Sequence, residues 1–155
     1  MPRDDVLKGL KTRRAVELTK GLVRARSINP PGNEKAAAEV VSGFLDDIGI
    51  KYVEQSVSGD RCNIIATLKG RMGSRSLLLT GHLDVVPPGD EGLWSRDPFC
   101  GEEVDGQIYG RGSTDAKGCL GAMMSSLEAI AESGIELLGD LVFAAVVGEE
   151  TDGIG

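Results

Sequence analysis

His82 is the only histidine in the chain, and it stands two residues before Asp84 in "TGHLDVV". On an extended backbone the two side chains point to the same side. A carboxylate so placed can accept one imidazole N–H and leave the other ring nitrogen for a metal. Each residue also has a plainer reading: a hydrogen-bonded structural histidine at a strand end, and a turn acid ahead of Pro87 and Pro88. Asp115 follows a glycine-rich turn in "GRGSTDAKG" and opens a helical stretch. It reads either as a helix N-cap or as a carboxylate ligand. Glu149 and Glu150 are adjacent, just after the apolar run "LVFAAVV" is broken by Gly148. Burying both without a cation is costly, so they are either solvated or at least one of them is held by a cation. One histidine, one helix-entry aspartate and two acids at strand ends are together the ingredients of a metal-activated water site. In such a site histidine and carboxylates bind the metal, and a spare carboxylate takes the proton of water. "GRGSTD" lacks the last glycine of a dinucleotide fingerprint, and no Gly-Lys-Ser/Thr of a phosphate-binding loop follows it.

These residues need a scaffold, and hydrophobic periodicity outlines one. A helix is predicted from Asp4 to Arg26, ended by "SINPPGN", where Pro30, Pro31 and Gly32 cannot continue it. Asn33 is expected to cap a second helix that buries Ala37, Val41, Phe44 and Leu45 and stops at Gly49. "KYVEQSV", "NIIATLKG" and "SLLLTGHLDVV" read as strands, the last two with the apolar runs of strands covered on both faces. "EEVDGQIYG" reads as a hairpin turning on Asp-Gly. A further helix runs from Lys117 to Glu132, and "DLVFAAVVG" is a buried strand. The order predicts an α/β three-layer sandwich with a mixed, largely parallel sheet. In such sheets, sites gather at the carboxyl ends of strands, where "TGHLD", "GRGSTDAKG" and "GEET" lie. The loop from Pro87 to Pro98 is long enough to border a site.

Composition narrows the function. The net charge of −7 argues against nucleic acid and against an anionic membrane surface as partners. The N-terminus has no apolar leader and no stretch is long enough to span a bilayer, so a cytoplasmic protein is expected. Cys62, Cys100 and Cys119 are an odd number without CxxC spacing. They are expected to be buried free thiols in a reducing compartment.

"GHLDVVPPGD" with "LWSRDPF", then "DGQIYGRGSTDAKGCLGAM", then "VVGEETDGIG" strongly resembles the co-catalytic zinc peptidase and aminoacylase family. Acetylornithine deacetylase, succinyl-diaminopimelate desuccinylase and carboxypeptidase G belong to it. The likeness runs from "SINPPGN" to the last residue. The resemblance implies that His82, Asp115 and Glu150 bind metal, with Asp115 bridging two ions. It further implies that Asp84 orients His82, that Glu149 is the general base, and that the Asp115–Ala116 peptide is cis. The implied cofactor is Zn2+, two per complete site, with Co2+ or Mn2+ as substitutes. The implied reaction is hydrolysis of an amide bond in a small N-acyl amino acid. Dipeptidase or carboxypeptidase action is the alternative, and a non-catalytic metal-binding fragment is another. Family members are much longer and are often homodimers. Residues 1–155 are therefore expected to be the N-terminal part of a metallohydrolase catalytic domain, with the lid and dimerisation domain and the C-terminal part outside them. An apolar sheet face or edge is then expected to stand exposed.

Overall fold

A computed structural model describes residues 2–73 and 75–155, the side chains of Pro2, Arg3 and Asp5 excepted. The predicted first helix is two helices, α1 (Pro2–Gly9) and α2 (Thr12–Arg24). The break falls at Lys11, at φ −104° and ψ 85°. Its carbonyl accepts from Arg14 and Ala15 N–H and from the Ser125 hydroxyl, while its ammonium reaches Glu128 and Glu132. Partners more than a hundred residues away thus override the local periodicity. Helix α3 (Lys35–Asp47) follows the proline turn. Its N-cap is Glu34 rather than Asn33, because the Glu34 carbonyl accepts the Ala38 N–H while its side chain turns inward.

Strands β1 (Tyr52–Ser58) and β2 (Arg61–Leu68) form a hairpin across Gly59 and Asp60. So short a link permits only an antiparallel pair. β3 (Ser76–His82) is followed by the long loop, which carries one short helical turn at Glu91–Leu93. β4 (Glu102–Val104) and β5 (Gln107–Tyr109) make the expected hairpin, with Asp105 at a left-handed φ of 51° in its turn. Then come α4 (Gly118–Ser133) and β6 (Asp140–Val146). The main sheet has the order β1-β2-β6-β3. It is mixed, as expected, and its parallel pair is β3 with β6, joined by the α4 crossover; β2 pairs antiparallel with both neighbours.

Helices α2, α3 and α4 lie on one face. Leu22, Val41, Leu45, Leu120 and Met124 pack there against Ile64 of β2 and Leu141, Phe143 and Ala145 of β6. Among the described residues no helix covers the other face, and Val53 and Leu78 on it are 63% and 55% exposed. The described residues thus supply two of the three expected layers. The cysteines differ from expectation. All three are free, but Cys62 and Cys100 are half-buried and Cys119 is exposed. Cys119 lies at the start of α4, beside an apolar groove rather than in the core. Among the described residues no helix is long and apolar enough to cross a membrane.

Helices α2 and α4 approach closely at Gly121. A Cβ there would meet the Thr19 hydroxyl and stand 2.9 Å from the Ala15 carbonyl oxygen of α2. Gly121→Ala must therefore push the helices apart. It should destabilise the fold by about 1–3 kcal/mol, read as a lower denaturation midpoint with an unchanged slope. An unchanged midpoint would mean that the two helices are not rigidly apposed.

Candidate active site

The parallel pair sets the site. In the register of β3 with β6, His82 stands opposite Val146, so the two strands end side by side. The chain after β3 carries Asp84, and the chain after β6 carries Glu149 and Glu150. The turn before α4 brings Asp115 to the same end.

His82 is 7% exposed and both of its ring nitrogens face oxygen. Nδ1 is 3.0 Å from the Asp84 carbonyl and 3.5 Å from Asp84 Oδ1. Nε2 is 3.0 Å from Asp115 Oδ1 and 3.8 Å from Glu149 Oε2. The closest partner of Nδ1 is thus the main chain of Asp84. The Asp84 carboxylate, fully buried, is turned mostly to other donors. It accepts from Asn29 Nδ2 at 2.8 Å, from the Glu149 N–H at 3.2 Å and from the Glu150 N–H at 3.0 Å. Burial by itself would raise its pKa. His82, Asn29 and the Glu150 N–H outweigh burial and hold it well below the usual carboxylate range.

The Asp115–Ala116 peptide is cis, as the resemblance implies. Asp115 is not the cap of α4; the N-cap is Lys117, without a side-chain cap bond. The Asp115 backbone is extended, at φ −119° and ψ 102°, and its carboxylate meets His82. One potential ligand atom each from His82, Asp115 and Glu150 falls within 4.8 Å of the others. Glu149, 59% exposed at its side chain, lies beside them. Among the described residues no lysine or arginine pairs with Asp115, Glu149 or Glu150. Three carboxylates and an imidazole without a basic counter-charge fit a divalent cation in both charge and ligand type.

Lys117 and Asn29 carry no local pattern that marks them as part of the site. Lys117 is fully buried, and its ammonium donates to the Leu22 carbonyl at 2.7 Å, in the last turn of α2. That is the favourable end of a helix dipole for a cation. Burial pushes its pKa down to about 8 against the pull of Asp84. Asn29 also donates to the Thr151 hydroxyl at 3.0 Å, so one amide joins the proline turn to Asp84 and to the loop after β6. A cleft of about 240 Å3 opens beside Asp115 and Glu150, with Val86 and Arg111 on its walls. The Arg111 guanidinium lies over the Trp94 ring at 5.2 Å, and the indole N–H donates to the Pro88 carbonyl. A larger apolar groove of about 790 Å3, lined by Leu77, Leu79, Met123 and Ile130 among others, contains none of the site residues.

A sheet that gathers a histidine and acids at the ends of a parallel strand pair defines the class: an α/β domain of the metal-dependent hydrolase type. The chain belongs to peptidase family M20/M25/M40, whose profile matches residues 78–155. It is 32% identical over 143 residues to N-formyl-4-amino-5-aminomethyl-2-methylpyrimidine deformylase of Bacillus subtilis, covering 90% of this chain and 34% of that one. It is 37% identical over 138 residues to succinyl-diaminopimelate desuccinylase of Methylobacterium sp., covering 86% of this chain and 34% of that one. In structure it matches human carnosine dipeptidase 1 with a TM-score of 0.78 at 25% identity, over 95% of this chain and 35% of that one. The fold also matches an M20 family metallo-carboxypeptidase from Sulfolobus solfataricus, with a TM-score of 0.76 at 21% identity, over 88% of this chain and 31% of that one. The chain thus spans about a third of the length of the curated relatives it matches.

The acids around His82 make its titration a test of the site. The Asp84 carboxylate beside the ring raises its pKa from 6.5 to about 9, burial opposes the rise, and Asp115 adds to it. A raised pKa means that the imidazolium stabilises the metal-free fold. That contribution is complete below the unfolded value of 6.5 and is lost as the pH rises through about 9. The ring NMR shifts of metal-free protein should therefore titrate near 9, and Asp115→Asn should move the midpoint down. A midpoint that stays near 6.5 would show that the acids do not surround the ring in solution.

Proposed function

We propose that this chain carries the metal-binding and proton-transfer residues of a hydrolase that cleaves the amide bond of N-acyl amino acids. The observation that carries the reading is the meeting of His82, Asp115 and Glu150 within 4.8 Å, with Glu149 beside them and, among the described residues, no lysine or arginine paired with the three acids. The likeness to a desuccinylase and a deformylase supports acyl-amide substrates. Residues 1–155 form part of one catalytic domain. The remaining ligands and the lid and dimerisation domain belong to a longer protein, in keeping with the third of the relatives' length that is matched. A small molecule is the substrate, and the compartment is the cytoplasm.

His82, Asp115 and Glu150 would hold zinc, two ions in the complete site with Asp115 between them, and Co2+ or Mn2+ could replace it. Metal held there would supply polarisation of the scissile carbonyl and acidification of water. The protein's own part begins at His82. Its Nδ1–H is committed to the Asp84 carbonyl, which leaves Nε2 as the coordinating atom. The Asp84 carboxylate, bonded to the amides of Glu149 and Glu150, keeps the loop and its two acids near that nitrogen. Glu149 accepts a proton from the attacking water and returns it to the leaving nitrogen. Glu150 would hold the cation.

A second reading, dipeptide hydrolysis, is supported by the fold match to a dipeptidase at 25% identity. Both use the same residues and differ in the group on the acyl side.

In the complete enzyme, Glu149→Gln should lower kcat by about 100- to 10,000-fold and leave bound zinc, measured by elemental analysis, nearly unchanged. Glu150→Gln should lower the zinc content. Loss of zinc in the first variant and retention in the second would reverse the two roles. Assays on N-succinyl-diaminopimelate, N-acetylornithine and a dipeptide rank the substrates. No turnover of any of them by zinc-loaded enzyme would reject the hydrolase reading.

A further inference from the structure

Glu34 is fully buried, an unusual place for a carboxylate. Its oxygens are accounted for. Oε2 accepts from Arg61 Nε at 2.9 Å, and Oε1 accepts from Arg61 Nη2 at 2.6 Å. Oε1 also accepts the Gly148 N–H at 3.2 Å. Arg61 is itself 14% exposed and makes the two-pronged contact that only a guanidinium offers. The pair ties the turn before α3 to the first residue of β2 and to the loop after β6.

Two glycines make room for it. Gly32, at φ +91°, would place a Cβ 2.5 Å from Arg61 Cζ. Gly148, at φ +75°, would place one 3.1 Å from Arg61 Nη2 and 2.7 Å from Ile154 Cγ1. Both take a backbone conformation that L side chains avoid, and both have the guanidinium against them. The arginine is thus clamped between the proline turn and the start of the acidic loop.

The loop's amides are then gripped in sequence: Gly148 N–H by Glu34, and Glu149 and Glu150 N–H by Asp84. The gripping carboxylates have no exposure to water. A peptide held at three consecutive amides cannot rotate as a unit, so the directions in which residues 149 and 150 project are fixed by the main chain. We propose that the Glu34–Arg61 pair is a positioning device for this loop, setting the Gly148 backbone so that Glu149 and Glu150 are delivered to His82. Its meaning for catalysis rests on the roles proposed for those two acids; the positioning itself does not. Among the described residues Glu34 and Arg61 make no hydrogen bond or ion pair with His82 or Asp115; they reach the site through the loop and through the charge of Arg61 near Asp84.

The test separates positioning from stability. Exchanging a buried ion pair for apolar groups of similar size often leaves global stability unchanged or raised. Glu34→Met combined with Arg61→Met should therefore keep a melting temperature close to wild type. Hydrogen exchange at Gly148, Glu149 and Glu150 should nonetheless speed up about tenfold or more, the scale of a lost bond to a charged group, while Phe143 in β6 keeps its rate. The Co2+ affinity of the same variant should fall by a comparable factor, with a changed visible spectrum. Gly121→Ala serves as the control: it lowers the melting temperature without touching the loop's relative exchange or the cobalt spectrum. Glu34→Gln gives the same reading at smaller amplitude if the double variant does not fold, since it keeps an acceptor but loses the charge. Loop amides that exchange at the wild-type rate, or that speed up only in step with Phe143, would overturn the proposal. The exchange measurement needs no metal and decides the positioning whatever becomes of the metal reading.

Discussion

A carboxylate sealed from water must be given donors by the protein, and Asp84 collects them from separate parts of the chain. Asn29 comes from the proline turn after α2, and the amides of Glu149 and Glu150 come from the loop after β6. Asp84 itself continues the strand that ends in His82. One buried charge therefore fastens the three segments that must be adjacent for the site to exist. Removing one partner of such a group leaves a charge without solvent or counterpart, which is among the more damaging changes a core can suffer. Lys117 is the opposite charge nearby, equally buried and held by the last turn of α2. The floor of the site is thus polar and rigid, while the acids above it, Asp115 and Glu149, are largely open to solvent.

This arrangement divides the acidic residues into two kinds. Glu34 and Asp84 have no exposure, and their oxygens are used by main-chain and side-chain donors. Asp115, Glu149 and Glu150 have no lysine or arginine partner among the described residues. Asp84, of the first kind, resists protonation because its hydrogen bonds favour the charged form. The second kind repels itself unless a cation or a proton intervenes. The high pKa of His82 joins the two kinds: buried Asp84 raises it most and open Asp115 adds to the rise, so without metal a proton on the ring does part of a cation's work.

Much of this was legible in the sequence, and what was not has common physical causes. The apolar runs placed β3 and β6, the Asp-Gly pair placed the β4–β5 turn, and the three motifs were expected to meet at strand ends, where His82, Asp115 and Glu150 do converge. The break at Lys11 was invisible because it depends on Glu128, Glu132 and Ser125 in a helix far along the chain. Asn33 looked like a cap because its type favours one; Glu34 took the position because its carboxylate had Arg61 to meet inside. Burial of a charged residue depends on partners, and partners distant in sequence leave no local pattern. Lys117 reads as an ordinary helix-entry lysine until the Leu22 carbonyl appears opposite it. The bare sheet face was expected from the family's greater length and not from the strands, since an apolar strand reads alike whether its second face is covered or bare.

The stack of Arg111 on Trp94 has an optical consequence. The chain has a single tryptophan, its N–H is fixed to the Pro88 carbonyl, and its ring face is covered by a guanidinium from the wall of the cleft beside Asp115. A cationic group lying on an indole perturbs its excited state, so whatever moves Arg111 alters the emission of the only indole present. Residues 1–155 therefore carry a built-in fluorophore at the rim of their own cleft.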